Sequence, residues 1–206
     1  MIGMPRWPAL VVVLIIGAIY FVIPAPLRIG PPWLLLAVGV VAVVMLIVLR
    51  RLEMHLATRK IAVALTALLT LAVTISAIFL VTRLPGGKVT APHLLRDAGL
   101  VWILNILVFA LWYWEIDAGG PGKRHRGHHA STDFVFPQMA FDDETSRQWS
   151  PEFFDYLFVA FNTSTAFSPT DTLVLSRRVK VLMMYQSLVS LLIISVLIAR
   201  AINTLQ

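Results

Sequence analysis

Long apolar runs alternate with short polar breaks along this chain. Prolines, glycines and paired basic residues mark the breaks and leave apolar segments at residues 7–23, 33–49, 61–81, 94–114 and 179–202. Runs of about 17–25 apolar residues are long enough to cross a bilayer as a helix. The pattern therefore predicts an all-α membrane protein with five transmembrane helices.

One more segment, residues 151–162, is rich in Phe and Tyr but too short to cross. A helix of this length rises about 18 Å, whereas the hydrocarbon core is about 30 Å thick. Ser150 is the predicted N-cap, Pro151 suits the first helical position, and Glu152 favours the positive helix end. We expect this helix to lie at the membrane surface, or to enter the membrane and turn back.

A hydroxyl-rich stretch follows the short helix. Thr163, Ser164, Thr165 and Ser168 are the residue types that a re-entrant turn would use, because irregular backbone inside a membrane needs partners from the protein or from water. Ser168 to Asp171 then resembles the cap of a new helix. The alternative is a surface turn between an interfacial helix and the last span.

These segments divide the chain into two parts. Residues 1–92 hold three predicted transmembrane helices, and residues 93–206 form a pore-like module. The module consists of an outer helix at 94–114, a polar loop at 115–149, a pore helix at 151–162, a filter-like turn at 163–171 and an inner helix at 172–204. The polar loop is expected to lie at the surface, with partial order around Asp133 to Pro137.

Composition agrees with the membrane assignment. Of 206 residues, 58% are hydrophobic and 14% are charged, and cysteine is absent, which excludes disulfides and thiolate metal sites. The formal charge of +6 does not predict a nucleic-acid partner, because basic residues beside membrane spans are topology signals first. No nucleophile–base pattern and no phosphate-binding glycine loop occurs, so neither an enzyme nor a cofactor is predicted.

Basic residues concentrate on one side of the predicted topology. That side carries Arg6, Arg50, Arg51, Arg59, Lys60, Lys123, Arg124, Arg126, Arg147, Arg177 and Arg178. The other side carries only Arg28, Arg83, Lys88, Arg96 and Arg200. The positive-inside rule therefore predicts that the N-terminus and loop 115–149 lie in the cytoplasm.

The polar residues within or near the predicted spans include Asp97, Asn105, Gln186 and Ser190. Polar groups are costly inside a membrane and are therefore candidates for function. Gln186 and Ser190 are four residues apart and share one helix face. These side chains would either hydrogen-bond helices together, for example across a subunit interface, or line a pathway.

Two clusters of polar residues in the loop are weaker candidates for a functional site. His125, His128 and His129 have a spacing that would hold zinc if Asp133 joined them. Neighbouring lysine and arginine side chains repel metal ions, so a flexible basic loop is favoured and no metal site is predicted. The acidic run at residues 142–144 would either attract cations to a vestibule or form a solvated loop.

The layout resembles the pore module of potassium-channel-type proteins, which consists of an outer span, a pore helix, a filter and an inner span. Thr163, Ser164, Thr165 and Phe167 match the hydroxyls and the aromatic residue of that family's filter, Thr-Thr-Val/Ile-Gly-Tyr/Phe-Gly-Asp. Ala166 and Ser168 replace both filter glycines, and Pro169 replaces the aspartate. Since those glycines permit backbone conformations that side chains resist, the likeness extends to the architecture and not to a carbonyl-lined potassium filter.

A second resemblance covers about residues 133–206. A family of bacterial multi-pass inner-membrane proteins, known as a domain of unknown function, carries Asp-Phe-Leu-Tyr-Phe, then Thr-Phe-Gln-x-Ser-Asp-Thr, then Ser-Arg before its last span. The residues of this chain that coincide with it are Phe167, Asp171, Thr172, Ser176 and Arg177. This likeness implies a location in a bacterial inner membrane and gives no activity.

Together these features predict a tetrameric, channel-like protein that passes monovalent cations with weak selectivity. Its predicted partners are the lipid bilayer and other copies of itself. The pore residues would be Thr163, Ser164, Thr165, Ala166, Phe167, Ser168 and Asp171. The alternative is a non-conducting scaffold or partner subunit that retains the channel-like fold. A small-solute transporter is disfavoured because no inverted repeat is evident.

Overall fold

The computed structural model describes residues 7–82, 91–124, 132–139, 149–165 and 171–203. The helices are α1 (Trp7–Val22), α2 (Leu34–Arg51), α3 (His55–Thr82), α4 (Ala91–Ile116), α5 (Pro121–Arg124), α6 (Phe153–Thr165) and α7 (Arg177–Asn203). Two strands, β1 (Phe134–Val135) and β2 (Leu173–Val174), pair antiparallel. Three 3-10 turns lie at Ala25–Leu27, Asp117–Gly119 and Pro137–Met139.

Four helices of the described residues are long and apolar enough to cross a membrane: α2, α3, α4 and α7. Apart from the two-residue strands, the regular structure of the described residues is helical. The predicted all-α, multi-pass membrane class is therefore confirmed. Helix α1 is apolar but has only 16 residues, a rise of about 24 Å.

Helix α4 occupies the centre of the bundle and contacts α1, α3, α6 and α7. Its inward residues include Ala98, Val101, Leu104 and Val108, all fully buried. Polar contacts reinforce the packing around it: the Trp112 indole N–H donates to the Thr70 hydroxyl at 2.7 Å. The hydroxyls of Thr74 and Tyr185 are also 2.7 Å apart, which links α3 to α7.

Small residues allow α1 and α2 to approach closely. A Cβ atom added to Gly17 would lie 2.8 Å from the Cα atom of Leu36, and one added to Gly39 would lie 3.3 Å from a Val13 methyl group. Small residues at helix contacts are typical of packing in membranes, where close van der Waals contact drives association.

The short helix α6 runs antiparallel along the second half of α4. Rings of Phe153 and Tyr156 lie 5.9 and 5.7 Å from Trp114, at the end of α4. The Phe161 ring lies 6.0 Å from Trp102, near the middle of α4. Helix α6 therefore begins level with the end of α4 and ends halfway along it.

The chain is back at the end of the bundle when α7 begins. In the strand pair, Phe134 faces Val174 and Val135 faces Leu173. The Leu175 N–H also donates to the Asp133 carbonyl at 2.9 Å, and the Arg178 side chain reaches the carbonyl of Ile116, the last residue of α4. The end of α4, the starts of α6 and α7 and the β ribbon thus share one end of the molecule, which we call the ribbon end.

Several sequence predictions need correction here. Residues 55–60 belong to α3, so the predicted polar break between the apolar segments 33–49 and 61–81 shrinks to a short turn in which Glu53 adopts a φ of 57°. Helix α6 begins at Phe153, because the carboxylate of Asp155 accepts the Glu152 N–H at 2.7 Å and so caps the helix. Helix α7 begins at Arg177 because residues 173–174 form β2.

The prediction of a surface loop at 115–149 is wrong for much of its described part. Its residues that are at least 95% buried include Asp117, Asp133, Phe134 and Phe136. The aromatic rings pack on α4 and α6, where Phe134 lies 5.4 Å from Tyr113 and Phe136 lies 5.4 Å from Tyr156. This part of the segment is folded against the end of the bundle, because Phe134 and Phe136 belong to the same hydrophobic core as α4 and α6.

Candidate functional site

Gln186 of α7 connects the three helices of the predicted pore-like module. Its side chain is fully buried, and its amide N–H₂ donates to the carbonyl of Ala160 and to the hydroxyl of Ser164, both at 2.7 Å. Its amide oxygen accepts a hydrogen bond from the Tyr113 hydroxyl of α4. The second half of α6 is therefore anchored to α4 and α7 through one glutamine.

Asn105 of α4 extends this network. Its amide donates to the Ser190 hydroxyl at 2.8 Å and to the Gln186 carbonyl at 3.3 Å. Asn105 and Ser190 are buried. Within the described chain, the Asn105 side-chain oxygen has no hydrogen-bond partner. Asn105, Gln186 and Ser190 thus meet one another inside a single chain.

The hydroxyl residues at the end of α6 bond to the main chain. Thr163 donates to the Val159 carbonyl at 2.8 Å, and Thr165 donates to the carbonyl of Phe161 at 3.2 Å. The Ser187 hydroxyl of α7 donates to the Thr163 carbonyl at 3.3 Å. The last turn of α6 is consequently held against the side of α7, well inside the span.

A buried charged cluster, which we call the Asp117 cluster, lies at the ribbon end. One carboxylate oxygen of Asp117 accepts hydrogen bonds from the Thr132 hydroxyl and from the N–H groups of Asp133 and Phe134. The other accepts from the Tyr156 hydroxyl and lies 3.4 Å from Nε of Arg124. Ala118 (φ 51°), Gly119 and Gly120 follow in left-handed conformations, and this turn directs the chain back over the end of α4.

The Arg124 guanidinium lies 4.8 Å from the ring centres of both Trp114 and Tyr156. It also donates to the Trp114 carbonyl at 2.6 Å. A buried ion pair is tolerated where further hydrogen bonds and aromatic contacts compensate the lost hydration. The Asp117 cluster therefore fixes the start of α6 to the end of α4.

A second ion pair joins Asp133 to Arg178 of α7. The guanidinium donates to both carboxylate oxygens. Burial alone raises the pKa of Asp133, but hydrogen bonds from Arg178 and Ser176 and the Arg178 charge outweigh it, and the pKa lies below the usual value. The pair ties the start of α7 to β1.

The other predicted site residues are separate from this network. Asp171 is exposed. Asp97 is buried in the first half of α4, where its carboxylate accepts two hydrogen bonds from Arg96. Ala166, Phe167, Ser168, His125, His128, His129 and the acidic run at 142–144 lie outside the described residues. Among the described residues, no group of three metal-ligating side chains occurs.

Several residues of the site were missed in the sequence, namely Tyr113, Asp117, Arg124 and Tyr156. Aromatic residues at the end of a span, such as Trp112 to Trp114, are typical of a belt at the membrane surface, yet Tyr113 is fully buried. Arg124 was assigned to a solvated basic loop, and it is only 9% exposed. The available signal was an acid, Asp117, three residues after an aromatic run at the end of a span, with an arginine seven residues after that acid.

Comparisons of the chain with protein-family models, with curated proteins and with solved structures found no match.

Proposed function

We propose that this chain is one subunit of a tetrameric, channel-like membrane protein that conducts cations with weak selectivity. The main support for this proposal is the placement of α6. It begins at the ribbon end, stops beside the middle of α4, and is anchored there by Gln186, while β2 is again at the ribbon end. A short helix that enters the bundle to half its depth, after which the chain returns to the end where the helix began, is the layout of a pore loop.

The direction of α6 favours cations. Its C-terminal end carries the negative end of the helix dipole, and Thr163, Ser164 and Thr165 form this end, beside the middle of α4. Hydroxyl and carbonyl oxygens are hard ligands suited to monovalent cations. In this proposal, the pathway runs past residues 163–171, and Ala166 and Ser168 in place of glycines account for weak selectivity.

Four copies are proposed because one chain cannot enclose a pathway around a single pore loop. The outer surfaces of α6 and α7 expose large apolar side chains, including Phe154, Phe158, Val181, Met184 and Leu188. In a tetramer, part of this surface packs against the next copy and part meets lipid. The resemblance to potassium-channel-type modules supports the same number of copies.

The proposal includes a membrane arrangement. Helix α1 serves as a fifth, short span, since it is apolar and contacts both α2 and α4. The arginines and lysines at the turn after α2 and at the start of α7 share the ribbon end, which faces the cytoplasm by the positive-inside rule. The membrane is then a bacterial inner membrane, as the second family resemblance implies.

Reconstitution into liposomes tests conduction. Cation flux is measured with potassium, sodium and an impermeant cation, for the wild type and for Phe167→Ala and Ser168→Gly. We expect flux of both small cations, altered by either substitution. Absence of flux together with a monomer or dimer in mild detergent contradicts the proposal, whereas a tetramer without flux supports the non-conducting partner subunit instead.

A further inference from the structure

A cavity opens at the ribbon end, on the side of the bundle away from α6 and α7. It has a volume of ≈ 380 Å³ and lies between the start of α1, the end of α2, the start of α3 and the end of α4. This volume is within the range of about 300–1,000 Å³ that small-molecule sites occupy. The lining does not include Gln186, Asn105 or Ser190, which form the hydrogen-bond network described above.

The cavity has an apolar interior and a basic rim. Its interior includes Val13, Leu46, Ala62, Leu65 and Leu111. Arg50 and Arg51, the last residues of α2, line it and are exposed. An apolar space with two guanidinium groups at its rim matches a molecule with a hydrocarbon tail and an anionic head.

The one acidic side chain of the lining does not cancel this charge. Oε2 of Glu115 and Nε of Arg59 both lie within 4.0 Å of the point that a Cβ atom on Gly120 would occupy. The Glu115 carboxylate therefore lies in the neighbourhood of a third arginine. With Arg50 and Arg51 at the rim and Arg59 near Glu115, positive charge prevails at this end of the cavity.

The position of the cavity indicates that such a molecule would come from the membrane. Arg50 and Arg51 end a membrane-crossing helix, so they lie at the level of the lipid headgroups, and the interior lies at the level of the acyl chains. Basic pockets between transmembrane helices are known to bind anionic lipid headgroups. We propose that this cavity binds one anionic phospholipid, with its phosphate between Arg50 and Arg51 and one acyl chain in the interior.

Native mass spectrometry of the full-length protein tests this site. The protein is released from nanodiscs that contain equal amounts of phosphatidylglycerol and phosphatidylcholine, and the retained lipids are counted. We expect wild type to retain one phosphatidylglycerol. Each basic group near the membrane surface contributes about fivefold to binding, so Arg50→Gln with Arg51→Gln should weaken retention about 25-fold.

A matched control is available at the same end. Arg177→Gln with Lys180→Gln removes the same charge from exposed positions of α7 that do not line the cavity. This control should retain phosphatidylglycerol like wild type. Equal losses in both double variants would overturn the proposal, because general electrostatic attraction would then explain the binding.

The acyl chain is tested separately. Ala62→Phe fills the interior without a change of charge and should abolish retention of the lipid. Retention by a folded Ala62→Phe protein would overturn the part of the proposal that concerns the tail. Phosphatidylglycerol with a photoreactive group at the end of one chain needs no substitution: adducts should map to Leu46, Leu65 or Leu111, and adducts confined to the outer surface of α7 contradict the site.

Discussion

The side-chain amide of Gln186 donates a hydrogen bond to the main-chain carbonyl of Ala160 at 2.7 Å, in the second half of α6. The same amide group bonds Ser164, and its oxygen accepts from Tyr113. One side chain of the last helix thereby supplies partners to buried polar groups of a short helix that ends inside the bundle.

Replacement of Gln186 by Leu should loosen the end of α6. The substitution removes the partners of Tyr113 and Ser164, and buried polar groups without partners cost about 1–3 kcal/mol each. Because the chain has no cysteine, Thr163→Cys can be labelled alone with a maleimide. We expect faster labelling in the Gln186→Leu background. Ser195→Ala removes an exposed hydroxyl that donates to the Leu191 carbonyl within α7; it is the matched control and should leave the rate unchanged.

Replacement of Arg124 by Leu should destabilise the protein strongly. It leaves the buried Asp117 carboxylate without its charge partner, and removal of one member of a buried pair costs about 3–5 kcal/mol. The melting temperature in detergent measures this effect. Arg177→Leu, at an exposed position of the ribbon end, should change stability by less than about 0.5 kcal/mol. Equal effects of the two substitutions would contradict the role assigned to Arg124.

Gly17→Ala should weaken the contact between α1 and α2, because the new Cβ would meet the Leu36 backbone at 2.8 Å and the helices must separate. Gly99→Ala is the matched control in α4, since a Cβ there meets nothing within 4 Å. Alanine is the better helix former, by roughly 0.5–1 kcal/mol, so the control should be neutral or stabilising. Thermal unfolding of the two variants should therefore shift in opposite directions, or only for Gly17→Ala.

The Asp133–Arg178 pair should make stability depend on acidity. The folded-state pKa of Asp133 is below its unfolded value of about 3.9, so the pair contributes fully above that value, and its contribution disappears as the pH falls through the folded-state pKa. Asp133→Asn should lower the melting temperature at pH 7, and the difference from wild type should shrink below about pH 4. A difference that stays constant down to pH 2–3 would show that the charge does not matter.

Single cysteines test the shared position of the helix ends. Arg51→Cys and Lys180→Cys should react with an impermeant maleimide from the same face of the membrane, and Ile29→Cys, between α1 and α2, from the opposite face. By the positive-inside rule, the first two should react only after the cytoplasmic face is opened. Labelling of Arg51→Cys and Lys180→Cys from different faces would contradict the antiparallel order of the helices.

Hydropathy located the spanning helices within a few residues. Residues 33–49 correspond to α2, 94–114 to α4 and 179–202 to α7. The thickness of the bilayer sets the length of a spanning helix, and the length of an apolar run can be measured from the local sequence alone. This explains why the predicted and observed helices agree. The ends differ because helices continue past the apolar run, as α3 does when it includes His55 to Lys60.

The polar residues of the site could not be placed in the same way. The sequence shows that Asn105, Gln186 and Ser190 are polar residues that are costly to bury in a membrane. However, Asn105 is 81 residues from Gln186 and 85 residues from Ser190 along the chain, and no local pattern specifies such pairs. Asp117 and Arg124 lie in a polar, glycine-rich stretch that composition assigns to solvent. They are buried because each compensates the other and two aromatic rings cover the guanidinium.

The β ribbon has a mechanical consequence. Phe134 pairs with Val174, and Asp133 holds Arg178, so the residues at β1 are joined directly to β2 and to the first turn of α7. A displacement of residues 133–135 would therefore act on the last helix through these contacts, and α6 need not move. Residues 133–135 would thus serve as a lever arm on the start of α7.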